Sequence, residues 1–132
     1  MNILVIEDNQ KHTEDAKNFF ETQDVTVTYV SNYSDTREIM FKFNQETFKH
    51  DVNKDIDGVI SDIYFPLTDN PQWNQPEPIG VRVAVELSQL RVPFVLNTAG
   101  YHHGRKYEWI HSFAQKQKWS LIDTGEDYES DS

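Results

Sequence analysis

Acidic side chains and one hydroxyl group directly follow or end three apolar segments of the sequence. Glu7 and Asp8 come after the run ILVI, Asp62 ends GVISD, and Thr98 ends VPFVLNT. An ionised carboxylate at the end of a buried segment is unfavourable unless a cation or hydrogen bonds compensate for it. Carboxylates brought close together repel one another and therefore favour a hard divalent cation such as Mg²⁺, which prefers oxygen ligands. An aspartate neutralised in this way is chemically suited to attack a phosphoryl group.

The apolar segments are predicted to be strands that alternate with amphipathic helices. Alternation of this kind favours an α/β fold with a parallel sheet, right-handed crossovers and helices on both faces. Ligands of such sheets bind beyond the carboxyl ends of the strands, where the strand order reverses. The acidic residues are therefore expected to meet there if the first, third and fourth strands are neighbours. The patterns predict strands at 3–6, 25–30, 58–63, 92–96 and 119–122, and helices at 10–23, 34–48, 80–89 and 105–117.

Composition limits the classes of partner and compartment. The 132 residues fit one domain, and 12 basic against 22 acidic residues give a formal charge of −10. This charge repels nucleic acid and anionic membrane surfaces, so neither is an expected partner. The sequence contains no cysteine, and its N-terminus has the pattern of neither a signal peptide nor a membrane span, so a cytoplasmic location is expected. Residues 125–132 are predicted to be a solvated acidic tail.

Four segments, in order, resemble the receiver domain of bacterial two-component response regulators. They read ILVIEDN, DIYFP, GVRVAVELSQLR and VPFVLNTAG, and they extend over about residues 2–100. The resemblance implies a flavodoxin-like, doubly wound sheet of five parallel strands over residues 1–124. It also implies a stand-alone, non-enzymatic signalling domain that accepts a phosphoryl group from a histidine kinase or phosphotransfer protein in the presence of Mg²⁺. Such a domain acts by binding another protein.

The same resemblance implies a role for individual residues. Asp62 matches the phosphoacceptor, Asp8 the direct metal ligand, and Glu7 the acidic neighbour that holds a metal-bound water. The backbone carbonyl of Tyr64 matches the group that completes the metal site. Thr98 matches the hydroxyl that turns toward the phosphoryl group.

The sequence departs from the receiver pattern at its C-terminal end. Receivers carry a lysine at the end of the fifth strand, and Asp123 stands about there in this chain. A final helix is expected to be short or absent. Lys116, Lys118, Arg105 and Lys106 are candidate substitutes for the lysine, because long flexible side chains could reach the pocket, but solvated positions are the simpler interpretation.

Two other functions stay open at this point. One is a pseudo-receiver, an interaction module that keeps the fold and the acidic pocket but does not transfer phosphate. The other is a Mg²⁺-dependent phosphohydrolase, although Ile63 and Tyr64 follow Asp62 where a paired aspartate would be expected. The loop at 67–79 leaves the acceptor strand and carries Trp73, so a lid or docking role is a further hypothesis. His102, His103 and His111 are interpreted as surface residues, because adjacent histidines point apart.

Overall fold

The sheet of this protein is parallel and five-stranded. The computed structural model describes residues 1–98 and 105–123, with the backbone alone for residue 98, residues 105–107 and residue 123. The strand order is β2-β1-β5-β6-β7. The elements are β1 Asn2–Ile6, α1 Gln10–Glu21, β2 Thr26–Val30, α2 Tyr33–Met40, β3 Phe41–Asn44, β4 Lys49–Val52, β5 Gly58–Ser61, α3 Ile79–Leu90, β6 Phe94–Thr98, α4 Arg105–Gln117 and β7 Leu121–Asp123.

This order confirms the predicted doubly wound sheet. Strand β1 pairs with both β2 and β5, and β5 pairs with β6, all in parallel register. The order reverses at β1, because the chain first adds β2 on one side and then β5, β6 and β7 on the other. The carboxyl ends of β1 and β5 are therefore neighbours at the point where ligands of such sheets bind.

The main core lies on one face of the sheet. Alternate strand residues point to opposite faces, and Leu4, Ile6 and Leu96 are each 0% exposed on the face that α2, α3 and α4 cover. The helices contribute small and aliphatic side chains together with Tyr33 from α2. Buried helix residues on this face include Met40, Val83, Ala84, Leu87, Ile110 and Ala114.

The predicted helix at 34–48 is wrong in its second half. Helix α2 ends at Met40, and an antiparallel hairpin of β3 and β4 follows, with Phe41 opposite Val52 and Asn44 opposite Lys49. The predicted polar connection that begins at Lys49 is likewise replaced by β4. The N-cap of α2 is Asn32 rather than Ser34, since the Asn32 side chain accepts the Asp35 N–H.

The hairpin forms because distant and local contacts both favour it. Asn53 donates its backbone N–H to Met40 O at 2.6 Å and its side-chain amide to Ile39 O at 2.9 Å, which satisfies the last carbonyls of α2. In the turn, the Asn44 side chain accepts the backbone N–H groups of Glu46 and Thr47. Phe41 then packs against the core, and the helical pattern that continues through residue 48 is overridden.

The predicted loop at 67–79 is confirmed up to its last residue, because α3 begins at Ile79. Phe65 N donates to Glu77 O at 3.1 Å, and Glu77 N donates back to Phe65 O at 3.2 Å. The two ends of the loop are therefore joined, and Trp73 is 65% exposed near its middle. In the part of the chain that the structure describes, no helix is long and apolar enough to cross a membrane.

Candidate functional site

Three carboxylates meet at the carboxyl edge of the sheet. Glu7 and Asp8 follow β1, and Asp62 follows β5. Because these two strands pair, Asp8 and Asp62 are neighbours although they are 54 positions apart in the sequence. One carboxylate oxygen from each residue lies within 4.8 Å of the others. Glu7 and Asp62 are partly buried, whereas Asp8 is exposed, so the cluster is open to solvent on the side of Asp8.

Backbone groups and one histidine hold Glu7 and Asp62 in place. Glu7 accepts the Asn9 N–H at 3.1 Å, and its Oε1 lies 3.4 Å from His12 Nδ1. Asn9 also caps α1 by accepting the His12 N–H, which fixes His12 in the first turn of that helix. Asp62 Oδ1 accepts the Ile63 N–H at 2.8 Å. Sequence analysis did not identify His12, although its place five residues after Glu7 in a capped first turn is the signal for it.

Burial and mutual repulsion raise the pKa of both partly buried carboxyl groups. Burial is the main cause for Asp62, followed by the charge of Glu7, and together they raise its pKa to about 8. Burial likewise raises the pKa of Glu7 to about 7, against the hydrogen bond from Asn9. Burial also raises the pKa of Asp8. Interaction with the Asp62 side chain partly offsets this rise in the pKa of Glu7, so the two carboxyl groups titrate as a pair.

Helix α3 packs directly on the backbone that carries Asp62. A Cβ added to Gly80 would overlap Asp62 O and would lie 2.6 Å from Ile63 Cα. Gly80 N also donates to Ile63 O at 2.9 Å. Only glycine permits this approach, so the glycine that opens α3 sets the position of the Asp62–Ile63 peptide.

For the other two predicted site residues, the structure gives the backbone position of Thr98 and both the position and the burial of Tyr64. Thr98 ends β6 and is paired in register with Asp123 at the end of β7, so both belong to the carboxyl edge by backbone position. Their side chains lie outside the described part. Tyr64 follows Asp62 by two residues and is partly buried.

The four basic residues predicted as substitutes for the missing lysine lie, by backbone position, at two opposite edges of the sheet. Helix α4 starts at the carboxyl edge after β6 and returns to the amino edge, where β7 begins. Lys116 and Lys118 stand at its end and are exposed, so they lie at the edge opposite the carboxylates. Arg105 and Lys106 begin α4 at the correct edge, but their side chains lie outside the described residues. Among the described side chains, His12 is the basic group whose charge lowers the pKa of Asp62.

The carboxylate cluster fits a hard divalent cation. Its donors are all oxygen atoms, they lie within 4.8 Å of one another, and one of them is exposed. Mg²⁺ is usually held by one or two carboxylates and keeps several waters, which suits a cluster with one open side. A bound cation would also remove the repulsion that raises the pKa of Asp62.

Comparisons with known proteins define the fold class. The sequence matched no protein-family model and no curated protein. The structure is similar to the non-phosphorylated HemR receiver domain from Leptospira biflexa, with a TM-score of 0.58 over 92% of this chain and 80% of that chain, at 16% sequence identity. This chain therefore has the doubly wound α/β fold of a receiver domain. The resemblance seen in the sequence is confirmed at the level of the fold.

Proposed function

We propose that this protein is a receiver-like signalling domain in which Asp62 accepts a phosphoryl group from a histidine kinase or phosphotransfer protein. The observation that carries the proposal is the convergence of Glu7, Asp8 and Asp62 at the carboxyl edge of a receiver fold. Mg²⁺ is the proposed cofactor, with Asp8, Asp62 and the backbone carbonyl of Tyr64 as its ligands and Glu7 as the group that holds a metal-bound water. Thr98 is the proposed hydroxyl that contacts the transferred group.

The proposed phosphoryl transfer depends on the protonation state of Asp62. With its pKa raised to about 8, the carboxyl group keeps its proton in a large share of molecules at neutral pH. A bound divalent cation supplies positive charge that favours the ionised carboxylates and the phosphoryl oxygens. After losing its proton, an Asp62 oxygen attacks phosphorus. The P–N bond of the donor phosphohistidine breaks, and the imidazole keeps the electron pair and takes up a proton.

The test is transfer of a phosphoryl group to the purified protein. Acetyl phosphate with Mg²⁺ should add the mass of one phosphoryl group to the intact chain, and Asp62→Asn should abolish the addition. Asp24→Asn, at an exposed aspartate outside the cluster, is the matched control and should be modified normally. If the wild type gains no mass while a known receiver does under the same conditions, phosphotransfer is ruled out.

A pseudo-receiver is the second candidate function, and the placement of charged residues favours it. Asp123 ends β7 where receivers carry a lysine, and Lys116 and Lys118 lie at the opposite edge. Loss of a cation that stabilises the transferred charge would slow or prevent transfer. This function predicts a partner that binds wild type and Asp62→Ala equally well.

A phosphohydrolase stays the third candidate, with Asp62 or Asp8 as nucleophile. A screen of phosphate esters with Mg²⁺ tests it. Turnover that depends on either residue would replace the signalling proposal, and its absence would remove this candidate.

A further inference from the structure

A cleft outside the carboxylate cluster lies between helix α2, helix α3 and the β3–β4 hairpin. Its volume is about 250 Å³, and its lining consists of Tyr33, Arg37, Phe41, His50, Arg82 and Glu86. We call this feature the arginine cleft. Its two arginines stand in a chain with a formal charge of −10, so this concave surface differs in charge from the molecule as a whole. Basic side chains in a concave surface attract anions locally.

The ring of Tyr33 brings the two arginine side chains together. Tyr33 is 4% exposed, and the guanidinium carbons of Arg82 and Arg37 lie 4.9 Å and 5.9 Å from the centre of its ring. A guanidinium group is attracted to an aromatic ring, which limits the motion of its long side chain. Both cations are therefore held beside one ring, although Arg37 comes from α2 and Arg82 from α3.

Backbone hydrogen bonds fix both helices of the arginine cleft to one segment of the chain. Tyr33 N, at the start of α2, donates to Pro66 O at 3.0 Å, and Gly80 N, in the first turn of α3, donates to Ile63 O at 2.9 Å. The two arginines are therefore carried by helices whose first turns are attached to the same short segment after β5. A site that is already formed costs less free energy to occupy.

The one acidic side chain of the arginine cleft, Glu86, interacts with groups of the cleft itself. Its Oε1 accepts the Tyr33 hydroxyl at 2.8 Å and lies 3.6 Å from Arg82 Nε. This ion pair uses Nε of Arg82, so the terminal nitrogens of that residue can turn to a ligand. Among the described side chains, Arg37 forms no ion pair with a carboxylate. The charge of Arg37 is thus left over after Glu86 and Arg82 offset each other.

The number of donors and the volume favour a phosphate monoester over a carboxylate. A guanidinium group makes two parallel hydrogen bonds to an oxygen anion, so one arginine can occupy both oxygens of a carboxylate. A phosphate monoester has three acceptor oxygens and can engage two arginines at once. Drug-sized ligands occupy about 300–1,000 Å³. The smaller volume of the arginine cleft therefore suits a single phosphate group with few further atoms.

We propose that the arginine cleft binds a phosphate-monoester group, with Arg37 and Arg82 as its main contacts and the exposed His50 as a further donor. Two sources carry this chemistry, a small phosphorylated molecule and a phosphorylated side chain of a partner protein. The site requires neither Asp62 nor Mg²⁺, so it goes beyond the proposed phosphoacceptor function and does not rest on it.

An NMR titration with inorganic phosphate, after removal of divalent cations, tests the proposal. Without a cation the carboxylate cluster repels phosphate, so saturable changes report a different site. The amide signals of Tyr33, Arg37 and Arg82 should shift, with a dissociation constant of about 1 mM or below. Sodium acetate at equal ionic strength is the control and should bind at least tenfold more weakly.

Charge variants locate the site. Arg37→Gln and Arg82→Gln should each weaken phosphate binding at least fivefold, and circular dichroism checks that both variants fold. Arg91→Gln removes the same charge from an exposed arginine at the other end of α3, and it should leave the affinity unchanged. Asp62→Asn should also leave phosphate binding unchanged, so failure of this site and failure of phosphotransfer are distinguishable.

A second titration identifies the source of the phosphate group. Phe43 is 53% exposed, and its ring centre lies 5.5 Å from that of His50, so apolar surface borders the arginine cleft. A short peptide with one phosphoserine between leucines is the probe. Binding at least tenfold tighter than that of inorganic phosphate, with the gain lost in Phe43→Ala, would identify a phosphorylated partner protein. Equal affinities would identify a small phosphorylated molecule.

Three outcomes would overturn the proposal. The absence of saturable shifts with both phosphate and the phosphopeptide would mean that the arginine cleft takes no phosphate group. Equal weakening by Arg91→Gln would show general charge attraction, and acetate that binds as tightly as phosphate would exclude a site selective for phosphate monoesters.

Discussion

At the scale of the single residue, opposing interactions act on the ionisation of the Asp62 carboxyl group. Ile63 N–H stabilises its ionised form, whereas burial and the neighbouring charge of Glu7 disfavour it. The net effect raises its pKa, so in the metal-free protein the ionised carboxylate at this position costs stability. A partly buried carboxyl group with a raised pKa in an acidic cluster is a candidate functional group.

Asp62→Asn should therefore stabilise the metal-free protein. We expect a gain on the order of 2 kcal/mol in the free energy of unfolding at pH 8, because the neutral amide removes the buried charge. At pH 4, where Asp62 already carries a proton, the gain should disappear. Urea unfolding at both pH values measures it. Asp24→Asn is the control, and a loss of stability at pH 8 in Asp62→Asn would contradict the assigned environment.

At the scale of the element, helix α3 determines the position of the Asp62 backbone. Its first turn contacts the Asp62–Ile63 peptide so closely that the helix and the site cannot move independently. The ends of the loop at 67–79 are joined through Phe65 and Glu77, so the start of α3 is held beside the segment that follows β5.

Gly80→Ala should disrupt the site. The added methyl group would overlap backbone atoms that cannot rotate away, and we expect a loss of about 1–3 kcal/mol in stability. Mg²⁺ affinity, measured by calorimetry, should fall because Asp62 is displaced. Gly58→Ala is a matched control, since its added Cβ would meet only ordinary contacts of 3.5 Å with Ile3 Cδ1 and 3.6 Å with Pro93 O. Equal effects of the two variants would contradict this role of Gly80.

The stability contributed by the β3–β4 hairpin should depend on Phe41 rather than on Phe43. Phe41 packs against the core, so Phe41→Ala should cost about 2 kcal/mol in the free energy of unfolding. Phe43 is 53% exposed and contacts Phe48 and His50, so Phe43→Ala should cost less than about 0.5 kcal/mol. Urea unfolding of both variants tests this difference. A larger loss of stability in Phe43→Ala than in Phe41→Ala would contradict the packing of Phe41 against the core.

At the scale of the whole molecule, the carboxylate cluster links stability to pH. Folding raises the pKa of Glu7 from 4.5 to about 7 and that of Asp62 from 3.8 to about 8. The folded state therefore binds more protons than the unfolded state between these values. Stability is highest below the unfolded pKa values and is lost as the pH rises through about 7 and 8.

The metal-free protein should thus unfold at a lower temperature at pH 8.5 than at pH 5.5. Adding Mg²⁺ at pH 8.5 should restore much of the difference, because a cation bound only by the folded state stabilises it. Thermal unfolding with and without Mg²⁺ measures both effects, and sodium chloride at equal ionic strength is the control for general screening of the charge of −10. A melting temperature that rises with pH in the metal-free protein would contradict the assignment.

Local sequence patterns and long-range packing determine different parts of this fold and site. The residue types at the strand ends and the alternation of strands and helices are local patterns, so the parallel sheet and Glu7, Asp8 and Asp62 as candidates followed from the sequence. The helix boundary at Met40 did not, because Asn53 and the packing of Phe41 decide it from a distance.

The sequence by itself determined which side chains stand at the ends of the strands. Only the tertiary structure decided that β1 and β5 are neighbours and that Lys116 and Lys118 lie at the edge opposite the carboxylates. The physical reason is that side-chain periodicity reports the preference of one segment. Proximity, burial and the resulting pKa shifts instead depend on how several segments pack together.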